Sequence, residues 1–155
     1  MIRFFLGIGV FIAWSVLIGV IAPRIPAARF VRDRCRVTAG ECRVWEALGV
    51  RWWKRYLPDA GGWFSRDGRK DGNIRNSQAA LQRFVLETRR AELVHWCSLA
   101  IVPTFFLWCP LPAALFLLAA GLVANGPCLI ALRYNRRRVV EVLDRRRPGV
   151  AEHDR

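Results

Sequence analysis

VHWCSLAIVPTFFLWCPLPAALFLLAAGLVANGPCLIAL, residues 94–132, contains no Asp, Glu, Lys or Arg. It is about twice the ~20 residues that an α-helix needs to cross a bilayer core. Its middle reads Cys109-Pro110-Leu111-Pro112, and two prolines so close cannot sit inside one continuous helix. The stretch therefore predicts two membrane helices, 92–108 and 111–132, joined by a tight apolar turn. A further charge-free run, Phe4 to Ala22, is long enough for another span. The expected fold is an all-α membrane protein with three transmembrane helices: an N-terminal anchor at 4–22 plus a C-terminal helical hairpin. A cytosolic amphipathic loop region, 23–90, joins them, and a cytosolic tail, 133–155, follows, all in a single membrane domain.

Charge fixes the expected orientation. The chain has 155 residues and a formal charge of +13, from 25 Lys+Arg and 12 Asp+Glu. A soluble protein this basic usually meets nucleic acid, but here the positive residues follow the apolar runs. Sixteen Lys/Arg lie between Pro23 and Glu92, eight follow Leu132, one (Arg3) precedes the first run, and none stands at the hairpin turn. The positive-inside rule then puts the N-terminus outside and the loop and C-terminus in the cytosol. The expected location is the cell membrane and the expected partner the lipid bilayer, with no nucleic acid. Val20-Ile21-Ala22 resembles a signal cleavage site, yet Pro23 follows directly and cleavage would export the basic loop, so an uncleaved anchor is expected.

The loop has distinct parts. Arg29, Arg32, Arg34 and Arg36 form a juxtamembrane cluster suited to anionic headgroups. Across about 41–57, Trp45, Leu48, Trp52 and Tyr56 recur at spacings of three and four with Arg51, Lys54 and Arg55 between them. That pattern suits a helix lying in the interface, with Gly49 as its weak point. Asp59 to Asn73 is dense in Gly and Asp and predicts turns, without the glycine spacing of a nucleotide cradle. From about Ser77 a new helix is expected to run along the interface and into the second span. Cys35, Cys42, Cys97, Cys109 and Cys128 have no metal-binding spacing.

Polar residues at the edge of the apolar stretch carry the chemistry. On a helix Glu87 and Arg90 are a turn apart, and so are Glu92 and His95. Ionisable groups at that depth are costly and point to function or mutual pairing. On the other arm Asn125 stands inside the apolar run, Pro127 predicts a local break, and Arg133, Tyr134, Asn135, Arg136 and Arg138 lie at the exit. Asn125, Leu129, Leu132 and Arg136 share a helical face. The two arms of the hairpin would bring both clusters together.

Such groups suit acyl transfer. His95 would be the general base, with Glu92 holding its ring. Asn125, Tyr134 or Arg133 would donate to the oxyanion. Arg90, Arg133, Arg136 and Arg138 would receive an anionic thioester donor, acyl-CoA or an acyl carrier protein. Glu87 and Asn135 complete the candidate substrate contacts. No metal or other cofactor is expected. A di-iron carboxylate site would need a second Glu-x-x-His and more Glu ligands, which the chain lacks, since His153 sits in a polar tail.

Several motifs, taken together, resemble one family. Arg24-Ile25-Pro26, Trp53-Lys54 with a following Leu57-Pro58, Glu87-Thr88-x-Arg90-Ala91-Glu92-Leu93-x-His95-Trp96 and Tyr134-Asn135-Arg136-x-Arg138 look like the glycosyl-4,4'-diaponeurosporenoate acyltransferases, in matching order from about Arg24 to the basic tail. The resemblance implies the last step of staphyloxanthin-type carotenoid synthesis, esterification of a sugar hydroxyl of a membrane glycosyl-carotenoid with a fatty acyl group. It also brings Trp53 and Lys54 among the candidate substrate-binding residues. Where that family usually has Gln before Arg-Tyr-Asn-Arg, this chain has Leu132. The rival reading is a non-enzymatic membrane subunit that binds anionic lipid or a pathway partner through its basic loop.

Overall fold

The computed structural model describes residues 1–26, 28–31, 37–57 and 77–146. The Asp59–Asn73 turns, Arg32, Arg34, Arg36 and His153 lie outside the described residues. Among the described residues all regular structure is helical. Helix α1 is Ile2–Ile21, followed by a 3₁₀ turn Ala22–Arg24; α2 is Ala28–Val31, α3 Ala39–Ala47 and α4 Val50–Trp53, with a 3₁₀ turn Lys54–Tyr56. Helix α5 is Gln78–Ala100, a 3₁₀ segment covers Val102–Leu107, and α6 is Leu111–Arg145.

Two helices are long and apolar enough to cross a membrane, Ile2–Arg24 with mean hydropathy 2.5 and Leu111–Arg145 with mean hydropathy 2.1. The expected third, 92–108, is not one α-helix. Helix α5 stops at Ala100 because Pro103 lacks an N–H and crowds the carbonyl four residues back. The longest charge-free stretch of α5 is Leu93–Ala100, about 12 Å of helix, and the 3₁₀ segment carries the chain on to the turn.

The turn itself matches the sequence reading: Pro110 caps α6 and Pro112 stands in its first turn, where a missing N–H costs nothing. Beyond it α6 corrects the expected break at Pro127. The helix runs through Pro127 without interruption, since one proline removes one intrahelical bond and leaves its neighbours intact. It also continues past Leu132 into the expected tail, where Arg137 and Glu141 pair at 2.8 Å with helical i,i+4 spacing.

The expected interfacial helix 41–57 is broken in two. Thr38 and Glu41 form a capping box that starts α3. Gly49 takes a left-handed conformation, φ 70°, which ends α3 and turns the chain into α4. Ser77 caps α5 by accepting from the Ala80 N–H at 3.1 Å.

Helices α5 and α6 lie antiparallel, with α1 against them. A small core of Val102, Phe105, Cys109, Ala114 and Leu117 sits at the hairpin turn, with Ile8 and Phe11 of α1 packed on it. Side chains pack directly on Gly121, where a Cβ would stand 3.2 Å from the Val102 side chain and 3.7 Å from the Phe11 ring. Trp14 of α1 donates to the Cys97 carbonyl at 2.8 Å. Most large apolar side chains face outward instead: Phe5, Leu6 and Val16 on α1, and Leu115, Phe116 and Val123 on α6, are exposed. A belt this extensive marks an apolar contact surface.

Candidate functional site

At the level where α5 crosses α6, Asn125 is buried. Its Nδ2 donates to the Gly121 carbonyl at 2.9 Å, a bond open to a residue four positions on in the same helix. The amide is thereby oriented, because the reverse flip would set two oxygens against each other. Oδ1 is left facing His95 Nδ1 at 2.8 Å. An acceptor there requires the proton on Nδ1, so Nε2 carries the lone pair. Asn125, considered above as an oxyanion donor, presents its oxygen and not its N–H to His95.

Glu92 does not hold that ring. Its buried carboxylate takes Arg136 Nη1 on Oε2 at 2.5 Å and Arg133 Nη1 on Oε1 at 3.1 Å. Two guanidinium groups from α6 occupy both carboxylate oxygens, which leaves neither for the imidazole. Arg133 also reaches Glu41 Oε1 at 2.8 Å, so three helices meet on one side chain. Arg136 is 3% exposed, and both its Nη1, ion-paired with Glu92 without hydrogen-bond geometry, and its Nη2 are buried without a hydrogen-bond partner.

Other candidates lie elsewhere. Tyr134 is 1% exposed; its hydroxyl donates to Glu46 Oε1 at 2.8 Å and accepts from Arg51 Nε at 3.1 Å. Lys54 donates to Asn135 Oδ1 at 2.6 Å and stands 4.9 Å over the Tyr134 ring. Arg138 lies over the same ring at 5.9 Å. Nine residues of helix separate Tyr134 from Asn125, about 13.5 Å along the axis and half a turn round it. Tyr134 and Arg138 therefore face α3 and α4, and the oxyanion role considered for Tyr134 has no geometry to support it. Arg133, the third such candidate, is held by two carboxylates.

Glu87 and Arg90 pair at 2.8 Å, and Arg90 also donates to the Ile25 carbonyl at 3.0 Å. With Arg89, which donates to the Phe30 carbonyl, Arg90 fastens α5 to the segment after α1. Trp53 donates to the Leu48 carbonyl at 3.1 Å, satisfying the end of α3. The residues brought together are thus His95, Asn125, Glu92, Arg133 and Arg136.

Sequence reasoning passed over Glu41 and Glu46, and read Arg51 only as part of the basic side of an interfacial helix. Glu41 had a signal in the Thr-x-x-Glu capping box; Glu46 sits among exposed charges and had none. The Glu41 carboxyl is held below its ordinary range by the Thr38 N–H and, in smaller part, by Arg133. Hydrogen bonds from Arg51 and then Tyr134 lower Glu46. Burial, followed by the nearby Arg138 and Arg51, pulls Lys54 down.

Residues 26–145 match the profile of the glycosyl-4,4'-diaponeurosporenoate acyltransferase family. A relative of that name from Staphylococcus haemolyticus is 30% identical, over 75% of this chain and 70% of its own length. Relatives of the same name from two Staphylococcus aureus strains are 36% and 35% identical over 63 residues, 41% of this chain and 38% of theirs. No solved structure matches the chain.

Proposed function

The chain belongs to the glycosyl-4,4'-diaponeurosporenoate acyltransferase family, and from that premise we propose that it esterifies a sugar hydroxyl of a membrane glycosyl-carotenoid, or a related glycolipid, with a fatty acyl group. It is an acyltransferase; the acceptor, the leaflet and the residue roles are our reading. The observation that carries the roles is the Gly121–Asn125–His95 chain, which leaves Nε2 as a base.

In this reading Nε2 takes the proton of the sugar hydroxyl as its oxygen attacks the acyl carbonyl carbon. The tetrahedral intermediate collapses with loss of the thiolate of an acyl-CoA or acyl-carrier donor, which receives the proton from the imidazolium. Asn125 keeps the ring in the productive tautomer. The buried Arg136 Nη2 stands beside Glu92, one turn of α5 from His95, and is a donor for the oxyanion. Glu92 holds that guanidinium in place. The two long apolar helices with outward apolar faces support placement in the cell membrane, and the Lys/Arg distribution supports a cytosolic basic end.

The test is mass spectrometry of lipids and pigments from cells with and without the gene. Loss of an acylated glycosyl lipid and gain of its deacylated form are expected, and His95→Ala should behave as the deletion does, with activity down about 10²–10⁴-fold. Unchanged acyl lipids, or a fully active His95→Ala enzyme, would overturn the reading.

A further inference from the structure

On the face of α6 turned away from His95, an open polar cleft of about 360 Å³ lies between α3 and the basic end of α6. Arg43, Arg51, Arg137, Arg138, Glu46 and Glu141 contribute all of its charge. Glu46 pairs with Arg51 and Glu141 with Arg137, at 2.7 and 2.8 Å. Among the described residues neither Arg43 nor Arg138 forms an ion pair; Arg138 lies over the Tyr134 ring, and its charge is felt at Glu46. We propose that Arg43 and Arg138 bind the phosphate of an anionic phospholipid headgroup in this cleft.

Depth supports a lipid. The charge-free part of α6 ends at Leu132, and Arg137 and Arg138 follow about 8–9 Å further along the axis. That is close to the thickness of the headgroup layer, roughly 5–8 Å on each side of the core. Beside the cleft α3, α4 and the turn after them present Val44, Leu48, Trp52 and Tyr56, 58%, 63%, 63% and 65% exposed. Trp and Tyr favour this level of a membrane. A phosphate offers the geometry a guanidinium matches with two parallel bonds. Lys54 is pulled down first by burial and then by Arg138 and Arg51, so positive charge from both arginines reaches this side of α6.

A soluble phosphate-bearing thioester donor is the other source of such a group. Held here, it would have to bend round α6 to reach His95, because Asn125 and Tyr134 lie on opposite faces of that helix. The inference rests on placing the chain in a bilayer but not on acyl transfer.

The test uses the full chain in nanodiscs of phosphatidylcholine with increasing phosphatidylglycerol, reading the unfolding midpoint by tryptophan fluorescence. A saturable rise is expected. Arg43→Gln/Arg138→Gln should need on the order of tenfold more phosphatidylglycerol for the same rise, whereas Arg145→Gln/Arg146→Gln, equal in lost charge but further along α6, should shift the curve by less than about threefold. Should the first double variant be less stable in phosphatidylcholine alone, its single variants carry the test, each expected to lose about fivefold. Equal shifts in both double variants, or no rise in the wild type, would overturn the site. A rise produced by coenzyme A or inorganic phosphate in phosphatidylcholine discs, but not by phosphatidylglycerol, would assign it to a soluble ligand and overturn the lipid. Neither result depends on turnover, so the roles of His95 and Asn125 would be unaffected.

Discussion

Single side chains here are constrained by what their neighbours have already taken. Asn125 turns its Nδ2 to the Gly121 carbonyl, which leaves its Oδ1 to meet His95. Asn125→Ala should lower kcat on the order of 10²-fold with little change in KM, because ring orientation is lost and binding contacts are not; a rise in KM alone would contradict it. Glu41 predicts a pH effect. Its folded carboxyl titrates below the ordinary value of 4.5, so its contribution to stability is complete above that value and vanishes as pH falls through the lowered one. Glu41→Gln should therefore be less stable than the wild type at neutral pH and converge on it in acid, as thermal midpoints between neutral pH and about 3 would record. His95, Asn125, Glu92, Arg133 and Arg136 were legible in the sequence as polar groups at an apolar edge. Their pairing was not, because i,i+3 spacing makes Glu92 and His95 neighbours in any helix and says nothing of two arginines arriving from another.

The elements owe their ends to a few residues. Gly49 occupies the left-handed region with open space around it, so Gly49→Ala should cost about 1–2 kcal/mol through conformation alone. Gly121→Val would force α6 away from Val102 and Phe11, at about 1–3 kcal/mol, and disturb the carbonyl that fixes Asn125. Denaturation midpoints with unchanged m-values would check both. Prolines and charge-free runs made α1, the hairpin turn and the start of α6 readable. The end of α5 was hidden because Pro103 lies within an apolar run whose hydropathy does not fall there. The length of α6 was hidden because the arginines that mark an exit from the bilayer are also good helix formers.

Viewed whole, the described residues form a helical hairpin and an N-terminal helix, with the short helices α3 and α4 packed near the basic end of α6. If the hairpin crosses and returns, the number of crossings is odd. An N-terminal epitope tag should then be cleaved by protease added to intact cells while a C-terminal one is protected; the same result at both ends would contradict this arrangement. The truncated apolar part of α5 bears on biogenesis. A segment carrying Glu92 and His95 on some 12 Å of apolar helix is a poor candidate for insertion on its own as it leaves the ribosome. Among the described residues its carboxylate pairs with Arg133 and Arg136, which are translated some forty residues later. The two arms are thus expected to enter the bilayer as a pair, and a chain terminated before Arg133 should be a substrate for quality-control proteolysis rather than a shortened enzyme.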